Sequence, residues 1–170
     1  MEIERKFWLK AFPEDLPLLQ RMQTWQGYLY TEPNEVRIRR HRREESGEEF
    51  YRLTIKSGGD LARHEVELPL TAEQFEELRG LLDPSKPLIH KDYRAYDLGG
   101  GLTLECSVVD GGAFSYAEVE FPSEAAANAW QPLACLGPET TYRSGFKLHQ
   151  YWLDRSLKRQ NPYREDENDG

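Results

Sequence analysis

Charged side chains alternate with apolar ones in segment after segment of this chain, and this alternation most limits the fold it can adopt. The first segment, Glu2-Ile3-Glu4-Arg5-Lys6, places Glu2, Glu4 and Lys6 on one face of an extended strand. Carboxylates that share a face repel each other unless a cation lies between them. This segment by itself is typical of a solvated edge strand, so the later segments decide what it means.

The same alternation returns in later segments that turn residues separate. These segments are residues 36–39, 50–56, 63–68, 88–98, 102–108 and 115–121. The carboxylates on the charged faces are Glu2, Glu4, Glu65, Glu67, Glu105, Glu118 and Glu120. The cations on the charged faces are Lys6, Arg37, Arg39, Arg52, Lys56, Arg63 and Lys91. Solvated sheet faces usually mix in more neutral polar residues, so a set made almost entirely of Glu, Arg and Lys favours another arrangement.

Apolar stripes predict helices that can cover the other face of the strands. The clearest is residues 71–82, with Thr71 as the N-cap and Phe75, Leu78, Leu81 and Leu82 as the stripe. Further helices are predicted at residues 16–24, 124–130 and 144–158, and residues 131–141 are predicted to be irregular. If helices cover the apolar strand faces, the charged faces must meet one another. The sequence therefore predicts an α+β protein with an antiparallel barrel, helices outside and charge inside.

Buried charges are costly unless they are paired or bind ions. Arginine and lysine suit phosphate oxygens, and clustered glutamates suit the hard cations Mg²⁺ and Mn²⁺. The charged lumen is therefore predicted to hold a polyanion together with a divalent metal. A plain solvated sheet that binds neither remains the alternative at this stage.

Composition excludes several classes of function. The net charge of −8 argues against sequence-independent nucleic-acid binding, which needs a basic surface. No apolar run is long enough for a membrane span, and the charged N-terminus does not look like a signal peptide.

Cys106 and Cys135 show no metal-ligand spacing and are expected to be reduced, which predicts a cytoplasmic protein. Residues 1–160 are expected to form one domain, and residues 161–170 an acidic, disordered tail.

Five charged strand motifs, in this order along the chain, resemble those of the CYTH domain, the triphosphate tunnel metalloenzymes. They are Glu2-Ile3-Glu4-Arg5-Lys6, Val36-Arg37-Ile38-Arg39, Leu53-Thr54-Ile55-Lys56-Ser57, Arg63-His64-Glu65-Val66-Glu67 and Ala117-Glu118-Val119-Glu120-Phe121. The resemblance extends to about Lys158. It implies an eight-stranded antiparallel barrel that encloses a tunnel, and a hydrolase of small-molecule triphosphates that depends on Mg²⁺ or Mn²⁺.

The resemblance also implies roles for individual residues. Glu2, Glu4, Glu118 and Glu120 would hold metal, with Glu65 and Glu67 close to it and Glu105 on the neighbouring strand. The residues that would bind phosphate are Lys6, Arg37, Arg39, Lys56 and Lys91, with Arg143 near a further basic position. Arg52 and Arg63, from the charged strand faces, are predicted to join them. Glu4, Lys6 and Lys56 are the residues predicted to take part in catalysis.

The chain departs from the family pattern at three places. A K-x-R pair is replaced by Lys91-Asp92-Tyr93, which leaves Arg94 on the opposite strand face unless a β-bulge turns it towards the site. An E-x-D pair is replaced by Glu105-Cys106-Ser107. A Tyr-Ser-Asn-like segment is replaced by residues 143–147.

Hydrolysis of inorganic triphosphate is the leading prediction. Cyclisation of ATP and a non-catalytic polyphosphate- or nucleotide-binding module are the alternatives, and the protein is expected to be a monomer or homodimer.

Overall fold

The computed structural model describes residues 1–143, 146–160 and 162–163. The strands in this part of the chain are β1 (Glu2–Leu9), β2 (Leu18–Tyr30), β3 (Glu35–Arg43), β4 (Glu49–Lys56), β5 (Ala62–Arg63), β6 (Glu65–Leu70), β7 (Ile89–Gly99), β8 (Leu102–Val109), β9 (Phe114–Glu120) and β10 (Leu136–Glu139). The helices are α1 (Ala72–Arg79), α2 (Glu124–Ala129) and α3 (Leu148–Leu153), and a 3-10 helix follows at Arg155–Gln160.

The strands form one antiparallel sheet that curls into a nearly closed barrel. Their order is β10-β1-β9-β8-β7-β2-β3-β4-β6, and β5 pairs with β1. Only His64 separates β5 from β6, so this bent segment bonds to β4 at one end and to β1 at the other. The predicted barrel is confirmed, but the described residues contain ten strands instead of eight. The additional strands arise from the break at His64 and from β10.

The prediction of a helix at residues 16–24 is wrong, because Leu18 begins the long strand β2. The spacing of Leu16, Leu19 and Met22 imitates a helical stripe. However, Leu18 and Leu19 are 55% and 57% exposed, and only the later part of the segment is buried. Strand β2 pairs with β3 on one side and with β7 on the other. These long-range ladders decide the conformation in place of the local pattern.

Two further segments differ from the prediction. Residues 131–141 contain β10, which pairs with β1 through Phe7 and Glu139 and tolerates Pro138 because it lies at the edge of the sheet. The last helix is shorter than predicted, because Asp154 accepts a hydrogen bond from the Ser156 amide and ends α3. Ser144, Gly145 and the predicted acidic tail lie outside the described residues, except for positions 162 and 163.

Helix α1 begins and packs as its sequence predicts. The Thr71 hydroxyl accepts from the Gln74 amide at 3.1 Å, and the Gln74 side chain accepts from the Thr71 amide at 3.0 Å. This capping box fixes the start of the helix. One turn later, Phe75 is fully buried against the barrel. Leu81 was expected in the same stripe but is 73% exposed, because the helix ends at Arg79 and the stripe ends with it.

The apolar core lies outside the barrel wall, between strands and helices. One cluster joins Ile38 and Phe75 with Tyr151 and Trp152 of α3, and the other joins Leu104 and the strands around it with Ala127 of α2. Because these strand faces are apolar and covered, the charged residues at alternate positions must point into the lumen. Cys106 and Cys135 are both free; Cys106 is buried and Cys135 is exposed. No helix among the described residues is long and apolar enough to cross a membrane.

Candidate functional site

The lumen holds a cavity of about 290 Å³ that is lined mainly by charged side chains. Carboxylates from β1, β8 and β9 form one side, which we call the acidic wall: Glu2, Glu4, Glu105, Glu118 and Glu120. Cations from β3, β4 and β7 form the other side, which we call the basic wall: Arg37, Arg39, Arg52, Lys56 and Lys91. Glu65 and Glu67 of β6 also line the cavity, beside the basic wall.

The strand register explains why like charges come together. Glu4 is directly opposite Glu120, and Glu118 is directly opposite both Lys6 and Glu105. On the other side of the barrel, Arg39 is directly opposite Arg52. Like charges at directly opposed positions destabilise a sheet. Both walls therefore require counter-ions, and some of these come from within the lumen.

Three carboxyl groups of the acidic wall have strongly shifted pKa values. Burial, together with the charge of Glu118, raises the pKa of Glu4 to about 7. Burial and the same neighbour raise the pKa of Glu105 to about 7. The pKa of Glu118 is lowered to about 2, because Lys6, Lys56 and Lys91 outweigh the effect of burial. In the metal-free protein, burial and the charge of Glu118 therefore oppose further negative charge on Glu4 and Glu105.

Two cations of the basic wall have lowered pKa values. Burial and the nearby charges of Arg37 and Arg39 lower the pKa of Lys91 well below its usual value. Burial and Arg37 lower the pKa of Arg39 to about 10. The Nε atoms of Arg37 and Arg39 are buried and have no hydrogen-bond partner among the described residues. A bound polyanion would supply both the charge and the acceptors.

Ion pairs within and around the lumen hold several of the charged groups in place. Lys56 Nζ lies 2.9 Å from Glu2 Oε1 and 3.3 Å from Glu65 Oε2. Lys6 Nζ lies 3.2 Å from Glu118 Oε1. On β6, Glu67 contacts Arg39 at 3.0 Å and Arg52 at 3.3 Å.

The acidic wall fits a divalent cation by its chemistry. Carboxylate oxygens are the ligands that Mg²⁺ and Mn²⁺ prefer. Burial and the charge of Glu118 raise the pKa of Glu4, and a bound cation would favour its ionised form. Within the described part of the chain, no three Asp, Glu, His or Cys side chains converge to form a ready-made metal cage. Lysine and arginine side chains contact the carboxylates Glu2, Glu4 and Glu118 instead. A metal would therefore have to compete with these cations.

Three of the predicted phosphate-binding residues lie beside the main cavity instead of lining it. Lys6 contacts Glu118 and lies 4.9 Å from the centre of the Tyr116 ring. Arg63 contacts the carboxylates Glu2 and Glu4. Arg143 shares a small adjoining cavity with Glu4, Lys6 and Arg63. The structure thus brings all three close to the acidic wall.

The departures from the family motifs are accommodated inside the lumen. Tyr93 is directly opposite Ser107, and both line the cavity. The Tyr93 hydroxyl donates a hydrogen bond to Glu105 Oε1 at 2.6 Å. Arg94 lies on the outer face, with its guanidinium 3.8 Å from the centre of the Phe12 ring. The strand is not bulged here, so Tyr93 and not Arg94 faces the site.

Sequence reasoning missed two buried histidines near the site. The basic run after Arg39 is typical of a strand end that leaves a barrel for solvent, but His41 within it is only 5% exposed and its Nδ1 lies 2.9 Å from Thr24 Oγ1. The alternation of Arg37, Arg39 and His41 was the signal that could have placed it in the lumen. The second, His149 of α3, lies 2.6 Å from Glu35. No local sequence pattern links His149 to Glu35, because the two residues lie far apart in the chain.

These features define the class of protein. It is a β-barrel in which a wall of carboxylates faces a wall of arginine and lysine across the lumen. Such a lumen suits a polyanion together with a divalent cation. The sequence and the fold are similar to those of known proteins. The inorganic triphosphatase of Nitrosomonas europaea is 33% identical over 148 residues, which cover 86% of this chain and 93% of that protein. The chain belongs to the CYTH family, the triphosphate tunnel metalloenzymes.

Solved structures agree with this family. The crystal structure of an inorganic triphosphatase has a TM-score of 0.60 and 31% identity, over 90% of this chain and 95% of that chain. A putative adenylyl cyclase from Hippeastrum, which has a dominant triphosphatase activity, has a TM-score of 0.53 and 18% identity. It covers 75% of this chain and 83% of its own length, and it supports the fold alone. A scan against models of protein families finds no match.

Proposed function

We propose that this chain hydrolyses inorganic triphosphate to pyrophosphate and phosphate with the help of Mg²⁺ or Mn²⁺. The observation that carries the proposal is the opposition of the acidic and basic walls across one cavity of about 290 Å³. This volume is close to the lower end of the range of about 300–1,000 Å³ that is typical of small-molecule sites. The activity of the Nitrosomonas europaea relative supports the same substrate.

The basic wall would bind and align the substrate. Arg37, Arg39, Lys56 and Lys91 present cationic donors into the lumen, and such donors make strong, charge-assisted hydrogen bonds to phosphate oxygens. Lys6, Arg52, Arg63 and Arg143 would add positive charge around this core of donors. Fixing the chain of phosphates in one orientation lowers the entropic cost of attack by water.

The acidic wall would hold the metal and the attacking water. Glu2, Glu4, Glu118 and Glu120 are the proposed ligands, with Glu65, Glu67 and Glu105 close by. A bound divalent cation would neutralise charge that develops on the phosphate oxygens. A carboxylate of the same wall would accept the proton of the water, and Tyr93 would orient Glu105 through its 2.6 Å hydrogen bond.

Phosphate release from inorganic triphosphate, measured with Mg²⁺ and with Mn²⁺, tests this function. The wild-type protein should turn over the substrate, and Glu4→Gln should lower kcat by at least about 100-fold, the scale of losing one preorganised electrostatic group. Glu49→Gln is the matched control, since Glu49 pairs with Arg40 on the exterior. Full activity of Glu4→Gln would remove the assigned role, and no turnover with either cation would overturn the proposed function.

Products formed from ATP distinguish the remaining alternatives. Release of cyclic AMP and pyrophosphate would identify a cyclase, whereas ADP and phosphate would indicate hydrolysis. Tight triphosphate binding without turnover would identify a non-catalytic binding module. The cytoplasmic location, the absence of nucleic-acid partners and the monomeric or homodimeric state remain predictions from the sequence.

A further inference from the structure

Arg63 contacts three carboxylates, and all three contacts are long. Its Nε is 3.6 Å from Glu2 Oε1, its Nη2 is 3.7 Å from Glu4 Oε1, and its Nη1 is 3.5 Å from Glu35 Oε1. Charge-assisted hydrogen bonds of this kind are usually about 2.7–2.9 Å long. The side chain is only 10% exposed, so solvent does little to compensate for these long contacts.

The three carboxylates lie on two sides of the guanidinium. Glu2 and Glu4 belong to the acidic wall of the lumen, on β1. Glu35 begins β3 and lines a different cavity, of about 460 Å³, together with Arg63 and His149. Arg63 therefore stands between the proposed metal ligands and a carboxylate that does not line the lumen.

Glu35 is held firmly where it is. His149 Nδ1 of α3 lies 2.6 Å from Glu35 Oε1, and both side chains are buried. Although burial disfavours its charge, the hydrogen bond from His149 and the charges of Arg63 and Arg37 lower the pKa of Glu35. An ionised carboxylate can only accept, so His149 Nδ1 is the donor.

We propose that Glu35, fixed by His149, is the alternative partner of Arg63 and thereby sets the affinity of Glu2 and Glu4 for a divalent cation. A cation that binds Glu2 and Glu4 repels the guanidinium and takes two of its three partners. A buried guanidinium left without a counter-ion is strongly destabilising. Glu35 keeps Arg63 paired during this exchange, so Glu35 and His149 are positioning residues. This inference rests on the metal-dependent function proposed above.

Calorimetric titration with Mn²⁺ alone, without triphosphate, tests the proposal. Glu35→Gln should weaken Mn²⁺ binding about threefold to tenfold, the scale of coupling between residues in one charge network. His149→Leu, which leaves the carboxylate but removes its donor, should weaken binding in the same direction. His149→Gln restores an N–H donor and should recover most of the affinity. The double variant Glu35→Gln/His149→Leu should bind Mn²⁺ no more weakly than Glu35→Gln, because His149 acts through Glu35.

Glu32→Gln is the matched control for a simple loss of negative charge. Glu32 lines the same cavity as Glu35 but is exposed, so this variant should bind Mn²⁺ within twofold of wild type. In turnover assays the Glu35 and His149 variants should need more Mn²⁺ for half-maximal rate. Their KM for triphosphate at saturating Mn²⁺ should match that of wild type.

Several results would overturn the proposal. Unchanged Mn²⁺ affinity in a folded Glu35→Gln variant would do so, as would an equal loss in Glu32→Gln or additive losses in the double variant. Failure of the proposed function can be recognised separately. Wild-type protein that binds Mn²⁺ without hydrolysing triphosphate disproves the enzyme but leaves the role of Glu35 measurable. Wild-type protein that binds no Mn²⁺ disproves the role of Glu35, whereas the proposed function is decided separately by phosphate release with Mg²⁺ and with Mn²⁺.

Discussion

At the scale of single residues, the site is a balance of buried charges whose pKa values depend on their neighbours. Glu4 is buried and Glu118 is partly buried in the same wall, yet the pKa of Glu4 is raised to about 7 and that of Glu118 is lowered to about 2. Lys6, Lys56 and Lys91 stabilise the charge of Glu118, and that charge in turn opposes ionisation of Glu4. Neither value follows from residue type, because each depends on contacts between distant strands.

The raised pKa of Glu4 predicts how stability changes with pH in the metal-free protein. A carboxyl group whose pKa rises from 4.5 to about 7 on folding binds its proton more tightly in the folded state. The folded state is therefore favoured below the unfolded pKa and loses this advantage as pH rises through about 7. Glu4→Gln cannot ionise, so its free energy of unfolding should be close to that of wild type at pH 5 and higher at pH 8. The gain should be at most about 3 kcal/mol, from 1.36 kcal/mol per pKa unit.

Urea unfolding with a chelator present, at pH 5 and pH 8, measures this difference. Glu49→Gln serves as a control, because its carboxylate is on the exterior beside Arg40. It should show no such gain between the two pH values. A Glu4→Gln variant that is no more stable than wild type at pH 8 would contradict the assigned shift.

At the scale of elements, the secondary structure of several segments differs from the one that their local sequence pattern predicts. Residues 18–24 carry leucine spacing typical of a helix, but hydrogen bonding to both β3 and β7 makes them part of β2. Helix α3 ends early because Asp154 bonds to the Ser156 amide. Helix α1 behaves as predicted because its capping box and buried Phe75 agree with each other. Predictions held where local and tertiary preferences coincide.

The contact between β2 and the helices depends on Gly27. A Cβ atom at this position would lie 2.6 Å from Leu82 Cδ1 and 3.2 Å from Trp152 Cη2. Gly27→Ala should therefore overpack this contact and lower the free energy of unfolding by about 1–3 kcal/mol, measured by urea denaturation. Gly58→Ala is the matched control, since its nearest neighbour would be the Pro33 carbonyl at 3.9 Å. Equal stability of the two variants would show that the contact is not tight.

At the scale of the whole molecule, the barrel separates an apolar exterior, covered in part by helices, from a charged lumen. The net charge of −8 hides this arrangement, because it sums all acidic and basic residues wherever they lie. Membership of the CYTH family, and with it the predicted barrel, is confirmed. The assignment of individual site residues remains a prediction, although the structure gathers them around one lumen.

Inorganic triphosphate should raise the melting temperature of the metal-free protein, because it supplies the negative charge that the basic wall lacks. Ligand at 100 times its Kd stabilises a protein by about 2.7 kcal/mol, which is readily detected in a thermal-shift assay. Monophosphate at the same concentration is the control and should have a smaller effect, since it contacts fewer of the cations. Equal melting temperatures with and without triphosphate would favour a plain solvated sheet.

The sequence by itself determined the barrel with its charged interior. Alternation in strand after strand favours a barrel with its apolar faces under helices and its charged faces in the lumen, and the order of the motifs resembles that of the family. The tertiary structure decided which charges touch. Arg63 meets Glu35, and Glu35 meets His149 from the far end of the chain, only because the barrel closes and α3 packs against it. Side-chain alternation is a local property of a strand, whereas these contacts depend on sheet register and helix packing, which the local sequence does not encode.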